Sequence, residues 1–181
     1  LEQVLAAELA ALGARDVKAV DGGASFGGDL ALCYGVNLES RVASRVLWQA
    51  GRTRYRGEQE IYDAARALSW PRLFDVSRTI RVNVSAIRSP VKSLDFVTLR
   101  VKDAVCDVFR EARGRRPDVD TANPDVRIHV FLTRDEATFY LDTSGEPLFK
   151  RGHRVVSVEA PLRENLAAGL LRLAGWTPND I

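Results

Sequence analysis

Arginine side chains recur at every second position in the stretch "GRTRYRG", and their spacing suits contacts with phosphate groups. Arg52, Arg54 and Arg56 fall on one face of a predicted strand, about 7 Å apart, with Tyr55 on the other face. Guanidinium groups at this spacing can contact successive phosphates of a nucleic acid. A row of charges at a solvated strand end also discourages edge pairing, so this stretch leaves both interpretations open.

Two further basic clusters follow later in the chain. The second lies at the end of a predicted long helix and comprises Arg110, Arg113, Arg115 and Arg116. The helix dipole favours cations there, which is a sufficient structural explanation and leaves phosphate contact open. The third cluster surrounds a glycine and comprises Lys150, Arg151, His153 and Arg154. No helix end explains this last cluster, which favours an anionic partner such as nucleic acid. Convergence of all three clusters on one face would favour RNA.

The sequence contains none of the common catalytic or cofactor motifs. The stretch "DGGASFGGD" lacks the glycine spacing of dinucleotide-binding and phosphate-binding loops, and it predicts a hairpin instead. His129, on a predicted strand, is interpreted as an ordinary polar-face residue. Cys33 and Cys106 lack metal-ligand or redox spacing and predict two reduced thiols in a cytoplasmic protein. We therefore predict no catalytic residue, cofactor site or metal site within this chain.

Length and composition are those of an ordinary globular protein of one or two domains. The chain has 181 residues and a formal net charge of only +2, so nucleic-acid binding would depend on how the charge is distributed. No apolar run approaches the roughly 20 residues that span a bilayer, and we predict no membrane partner. The sequence has no methionine and begins with Leu1, so we expect that a natural N-terminal piece is absent.

The first third of the chain predicts the element order α-β-β-α-β. Residues 1–13 have leucines at helical spacing, and "DVKAV" and "ASFGG" predict a hairpin about the turn "DGG". Asp29 is a predicted cap for the helix "LALCYGVNLE", and "SRVLWQAGRTRYR" predicts the last strand. A ferredoxin-like unit has the order β-α-β-β-α-β. We therefore predict such a unit without its first strand.

The rest of the chain predicts the order α-α-β-α-β-β and one final helix. Short helices over "EQEIYDAARAL" and "SWPRLF" precede the alternating strand "TIRVNVSAI", and a long apolar-striped helix spans about 94–113. "VRIHVFL" and "ATFYLDTS" alternate as two strands joined by a turn. The final helix, from Pro161, has a leucine stripe that we predict to be exposed or covered by a neighbour. The stripe comprises Leu162, Leu166, Leu170 and Leu173.

Three stretches resemble the THUMP-containing bacterial rRNA guanine methyltransferases: "LRVKDAVCDVFREARGRRPDVD", "NPDVRIHVFLTRDEATFYLDTSGEPLFKRGHR" and "EAPLRENLAAGLLRLAGW". The resemblance covers nearly the whole chain and implies an α+β fold. It implies a ferredoxin-like domain over 1–56, a THUMP domain over 57–154, and a linker with the first helix of a Rossmann-like methyltransferase domain over 155–181. The family's "DPFCGSG"-like and "NPPY"-like motifs do not occur here, so we expect the catalytic domain to be missing from this chain.

The resemblance also implies a function, the positioning of structured RNA. The family methylates the exocyclic N2 amine of a guanine in 23S rRNA, with S-adenosylmethionine as cofactor, so the chain would hold the RNA for its own catalytic domain. S-adenosylmethionine is implied for the parent protein and no cofactor for this chain. The residues expected to contact RNA are Arg52, Arg54, Arg56, Lys102, Arg115, Arg116, Lys150, Arg151 and Arg154. Two alternatives stay open: a fragment of a tRNA-modifying THUMP enzyme, and a regulatory or partner-docking module that binds no RNA.

Overall fold

The computed structural model of the chain describes residues 1–152 and 159–176, and these fall into two units. The terminal unit consists of Leu1–Val46 and the residues from Glu146 onward, and the central unit consists of Leu47–Gly145. The terminal unit is therefore built from both ends of the chain, with the central unit inserted between them in sequence. No helix within the described ranges is long and apolar enough to cross a membrane.

The terminal unit contains three helices and one hairpin. Its elements are α1 (Glu2–Ala11), β1 (Arg15–Val20), β2 (Gly23–Gly27), α2 (Leu30–Glu39) and α5 (Glu164–Leu173). β1 and β2 pair antiparallel, and Gly22, with a φ of +76°, makes the turn that "DGG" predicts. The Asp29 carboxylate caps α2, because it accepts a hydrogen bond from the Leu32 N–H at 2.8 Å.

Residues from both ends of the chain build the core of the terminal unit. Leu9, Cys33, Val36 and Val46 are buried, and Leu148 packs against them. The Leu148 N–H also donates a hydrogen bond to the Ser44 carbonyl at 2.9 Å. A residue that follows the central unit is thus part of the same apolar cluster as the first helix.

α5 is attached to the terminal unit through polar side chains, and most of its leucines are exposed. Arg172 Nη2 lies 2.9 Å from Glu8 Oε1, and the Asn165 amide donates to the Ser44 hydroxyl oxygen at 2.9 Å. The exposed leucines on and beside this helix are Leu162, Leu170, Leu171 and Leu173, while Leu166 is half-buried. Three of the four leucines of the predicted stripe are therefore exposed, and Leu166 is partly covered.

The central unit packs two helices against one four-stranded sheet. Its elements are β3 (Leu47–Arg54), α3 (Glu58–Ala67), a short 3₁₀ turn (Trp70–Arg72), β4 (Ile80–Ala86), α4 (Leu94–Arg113), β5 (Val126–Leu132) and β6 (Glu136–Asp142). The strand order is β3-β6-β5-β4, with β4 and β5 parallel and the other two pairs antiparallel. Alternating residues of the strands face the helices, as the period of two in each strand predicts.

The bounds of α4 agree with the sequence prediction because both of its ends carry local signals. The Ser93 side chain accepts a hydrogen bond from the Phe96 N–H, and Gly114 adopts a φ of +74° directly after the last turn. On this helix Phe109 is fully buried, whereas Ala112 is exposed. The large ring of Phe109 packs beside Phe74, with ring centroids 4.9 Å apart.

β3 differs from the sequence prediction in its partner. We predicted it as the last strand of the ferredoxin-like unit, but it pairs antiparallel with β6 in the central sheet. Ala50 and Tyr55, on and directly after this strand, pack on the central core, which provides the apolar contacts that decide its partner. The predicted domain limits at 56 and 154 stay predictions. Along the sequence, the boundaries between the two units fall at Val46/Leu47 and Gly145/Glu146.

Candidate nucleic-acid interface

The three arginines of "GRTRYRG" lie on one face at the end of β3, as the alternation predicts. Arg52, Arg54 and Arg56 are exposed, whereas Tyr55 is only 3% exposed and faces the core. Arg52 Nε lies 3.3 Å from Glu136 Oε2 on the neighbouring strand. Within the part of the chain that the structure describes, no carboxylate pairs with Arg54 or Arg56, so these two cations are available to an anionic ligand.

The second basic cluster is largely engaged by one carboxylate. Arg116 Nη2 lies 2.8 Å from Asp107 Oδ1, and Arg110 Nη2 lies 3.0 Å from the same oxygen. The Tyr62 hydroxyl donates to the other oxygen of Asp107 at 2.9 Å. These contacts, above all the hydrogen bond from Arg116, hold the pKa of the Asp107 carboxyl below its usual range. Arg115 is exposed and pairs with no acid of the described residues.

The first two clusters do not converge. α4 has 20 residues and is therefore about 30 Å long. It starts after the carboxyl end of β4, near the end of β3, and Arg115 follows its far end. Asp118 accepts a hydrogen bond from the N–H of Ile80, the first residue of β4, which fixes this segment at the opposite edge of the sheet. Arg54 and Arg115 therefore do not lie on one continuous surface of the central unit.

Lys102 lies midway along α4, away from both ends. Its Nζ is 2.8 Å from Asp103 Oδ1, an adjacent carboxylate, and the side chain is about a third exposed. An exposed pair of this kind is weak, so a phosphate could displace Asp103 from Lys102.

The third cluster belongs to the terminal unit, and its arginine has a structural role. Lys150 Nζ lies 3.1 Å from Glu146 Oε2. The Arg151 guanidinium donates to the carbonyls of Leu148, Asn37, Ser40 and Leu38, the last three at the end of α2. Four of its five N–H groups are therefore used, and a phosphate would compete with these carbonyls. His153 and Arg154 lie outside the described residues.

Three further cations lie close to the end of β3, and the sequence prediction missed them. Arg88 and Lys92 occupy the loop between β4 and α4, and Arg134 occupies the turn between β5 and β6. All three are exposed and pair with no acid of the described ranges. Arg88 and Lys92 are four positions apart in one loop and Arg134 lies in another, so no local spacing in the sequence could have indicated that they lie together. Only the strand directions bring them together.

His129 lies on the sheet face opposite the helices and has a long contact with one acid. Its Nε2 is 3.7 Å from Oδ2 of the buried Asp142 carboxylate, beyond hydrogen-bond distance. No nucleophile accompanies it there among the described residues, which agrees with the polar-face interpretation.

The glycine-rich stretch does not fit a nucleotide cofactor. Its first part makes the predicted β1–β2 hairpin, and Gly28 and Asp29 join β2 to α2, with Asp29 as the predicted cap. The Asp29 carboxylate caps the N-terminus of α2, where a phosphate would have to lie. No group of three His, Cys, Asp or Glu side chains in the described segments could hold a metal ion. No catalytic step is assigned to these residues.

Two family models match the chain, one at the start of the terminal unit and one in the central unit. Residues 1–47 match the RlmL ferredoxin-like domain, and residues 55–142 match the THUMP domain. The second match includes all elements of the central unit except β3.

The chain is also similar to part of several larger proteins. It is 43% identical over 176 residues to the ribosomal RNA large subunit methyltransferase K/L of Syntrophotalea carbinolica, which covers 97% of this chain and 25% of that protein. A Listeria monocytogenes structure, described as an N6-adenine-specific DNA methylase, has a TM-score of 0.88 and 31% identity over 99% of this chain and 47% of its own. SMU.472, described as a methyltransferase and solved with SAH, has a TM-score of 0.84 and 28% identity, with 98% and 47% covered.

The chain therefore spans about a quarter of the curated relative and about half of the two solved chains. The matched segments agree with the predicted α+β fold and with its order along the sequence. The chain therefore matches an RlmL-type ferredoxin-like domain followed by a THUMP domain.

Proposed function

We propose that this chain is the RNA-binding module of a methyltransferase and that it positions 23S rRNA for methylation of a guanine N2 amine. The observation that carries the proposal is the match of nearly the whole chain to one segment of a ribosomal RNA large subunit methyltransferase, with a THUMP domain at its centre. The catalytic domain would lie in the part of the protein outside this chain.

The electrostatics of the central unit support this role. Structured RNA is recognised mainly through its backbone and 2′-hydroxyls, by Arg and Lys side chains. Arg54, Arg56 and Arg115 have no acidic partner among the described residues, and Lys102 has only an exposed one. With a net charge of +2, the chain would bind RNA through such local groups rather than through its overall charge.

S-adenosylmethionine would bind the catalytic domain, not this chain. The similar structure SMU.472 was solved with SAH, and this chain covers only 47% of it. Cys33 and Cys106 are buried and form no disulfide, which would suit a reducing compartment such as the cytoplasm, where ribosomal RNA lies.

Filter binding of the 181-residue chain to fragments of 23S rRNA at several salt concentrations tests the proposal. Each phosphate contact contributes roughly −0.7 to −0.9 to the slope of log K against log salt, so three to four contacts predict a slope of about −2 to −3. Saturable binding with a slope near zero would contradict phosphate contact. Preference for tRNA over every rRNA fragment would contradict the choice of rRNA.

A further inference from the structure

The strand directions of the central unit bring three connecting segments to one edge of its sheet. β4 and β5 are parallel and in register, from Ile80 opposite Val126 to Ala86 opposite Leu132. β6 is antiparallel to β5, and β3 is antiparallel to β6, so β3 runs in the same direction as β4 and β5. We name the segments at this edge, residues 54–57, 87–93 and 133–135, the carboxyl edge.

Buried hydrogen bonds hold the three segments of the carboxyl edge in place. The Tyr55 hydroxyl donates to the Thr133 carbonyl at 2.6 Å, and it lies 2.7 Å from the Ser89 hydroxyl oxygen. Because a phenol has one proton, Ser89 donates in that second bond. The Ile87 N–H donates to the Leu132 carbonyl at 2.8 Å. One residue from each segment thus meets at a single buried ring, which gives the edge a defined shape.

The carboxyl edge carries a local excess of unpaired positive charge. Its three segments contain five cations and one acid, Asp135. None of the five pairs with a carboxylate in the described chain; they are Arg54, Arg56, Arg88, Lys92 and Arg134. Three acids on the adjoining first turns of α3 and α4 stabilise those helix starts; they are Glu58, Glu60 and Asp95.

Apolar side chains are exposed beside these cations. Phe96, in the first turn of α4, is 50% exposed, and Ile87, in the preceding loop, is 56% exposed. Arg88, between them in sequence, has a φ of +57°, a conformation that non-glycine residues seldom adopt. Leu99, one turn after Phe96 on the same helix face, is also exposed. Nothing in the central core requires an aromatic ring at this exposed position.

We propose that the carboxyl edge binds unpaired nucleotides of the RNA, with Phe96 stacking on a base and Arg88 and Lys92 contacting the adjacent phosphates. The proposal rests on the function proposed above and adds which part of the RNA is bound. Bases in a duplex have their faces covered by their neighbours, whereas an unpaired base can stack on an exposed aromatic ring. Cations and an apolar ring together therefore fit a single-stranded segment better than the backbone of a duplex.

The test compares two RNA probes and three variants of the 181-residue chain. The probes are a blunt RNA duplex and the same duplex interrupted by an unpaired loop. Phe96→Ala is expected to weaken binding to the looped probe by roughly 5- to 150-fold, the range for loss of one base–aromatic stack, and to leave binding to the blunt duplex unchanged. Phe96→Trp should restore binding. Arg88→Asn, which tolerates a positive φ, should make the salt slope for the looped probe shallower by roughly 0.7.

Matched controls come from the same chain. Tyr34 on α2, in the terminal unit, is an aromatic residue with 67% exposure, and Tyr34→Ala should leave binding to both probes unchanged. Arg113, in the last turn of α4, is an exposed cation that serves as the control for Arg88. Arg113→Ala should change binding to the looped probe no more than it changes binding to the blunt duplex. Thermal unfolding of each variant checks that it is folded, and Arg88→Asn gives a second result if Phe96→Ala unfolds.

The outcomes separate this inference from the function on which it rests. One outcome is that the unaltered chain binds RNA while Phe96→Ala and Arg88→Asn bind the looped probe with the same affinity as the unaltered chain. In that case the carboxyl edge is not the binding site, and the proposed function stands. If the unaltered chain binds neither probe nor rRNA fragments, the proposed function fails, and the edge is then a surface for a protein partner. Equal losses on both probes would contradict the single-strand assignment.

Discussion

Replacing Glu8 with glutamine is expected to destabilise the terminal unit by about 3 kcal/mol. The Glu8 side chain is only 4% exposed, yet it carries a carboxylate that no solvent can stabilise. Oε1 accepts a hydrogen bond from the Arg41 N–H at 2.9 Å and forms an ion pair with Arg172, whose Nη2 lies 2.9 Å away. Oε2 accepts from the Ser40 hydroxyl at 2.5 Å and from the Val42 N–H at 3.3 Å. One side chain of α1 thereby holds the turn after α2 and the last part of α5.

The size of the effect follows from the donors that glutamine would leave without an acceptor. A glutamine amide has one oxygen and one NH₂ group, so two of the four donors would face another donor. Removal of one partner from a buried ion pair costs about 3–5 kcal/mol. The lower end applies here because Arg172 is 41% exposed and can turn to solvent.

Hydrogen exchange of peptides from α1 and from residues 40–43 measures this change within the terminal unit. Glu2→Gln is the matched control, since Glu2 is an acid on the same helix whose side chain is 45% exposed. Its effect should be within about 0.5 kcal/mol of zero. If Glu8→Gln changed protection no more than Glu2→Gln did, the carboxylate would not organise this unit and the reasoning would be refuted.

Three further predictions concern the central unit. Trp70→Ala should cost about 3–5 kcal/mol in urea unfolding followed by circular dichroism, because the ring is fully buried and its Nε1–H donates to the Ala65 carbonyl at 2.7 Å. Asp107→Asn should cost about 1 kcal/mol at pH 7. The contacts of Asp107 lower its pKa in the folded state, so the difference in unfolding free energy between the two proteins has its full size above the unfolded pKa of about 4 and shrinks as the pH falls below that value. A difference in unfolding midpoint that stayed constant down to pH 2 would contradict this. Tyr55→Phe should cost about 1–3 kcal/mol in the same urea assay, because it leaves the Thr133 carbonyl without its hydroxyl donor.

The features that the sequence predicted well are those with local signals. The ends of α4 follow from a serine cap and a glycine, and the exposed row of arginines on β3 follows from alternation over five residues. The hairpin of the terminal unit follows from "DGG". In each case the residues that decide the structure are neighbours in the chain.

The features that the sequence could not predict depend on contacts between distant residues. β3 belongs to the central sheet through its pairing with β6, which lies nearly a hundred positions later in the chain. No local sequence pattern distinguishes β6 from β1 or β2 as its partner. The engagement of Arg116 by Asp107 requires the turn after α4 to fold back on the helix. The carboxyl edge combines isolated charges from three loops, so it becomes visible only once the strand order is known.

The insertion of the central unit into the terminal unit sets an order for folding. During synthesis the terminal unit cannot close until residues beyond Glu146 have left the ribosome, because Leu148 and Arg172 complete its contacts. The central unit is continuous and can fold earlier. Closing an unfolded loop of about 100 residues costs about 4 kcal/mol or more in chain entropy, but the folded central unit removes most of that cost. In the sheet of the central unit, Leu47 lies opposite Asp142. The chain therefore enters and leaves this unit at neighbouring positions, which brings the ends of the two segments of the terminal unit side by side.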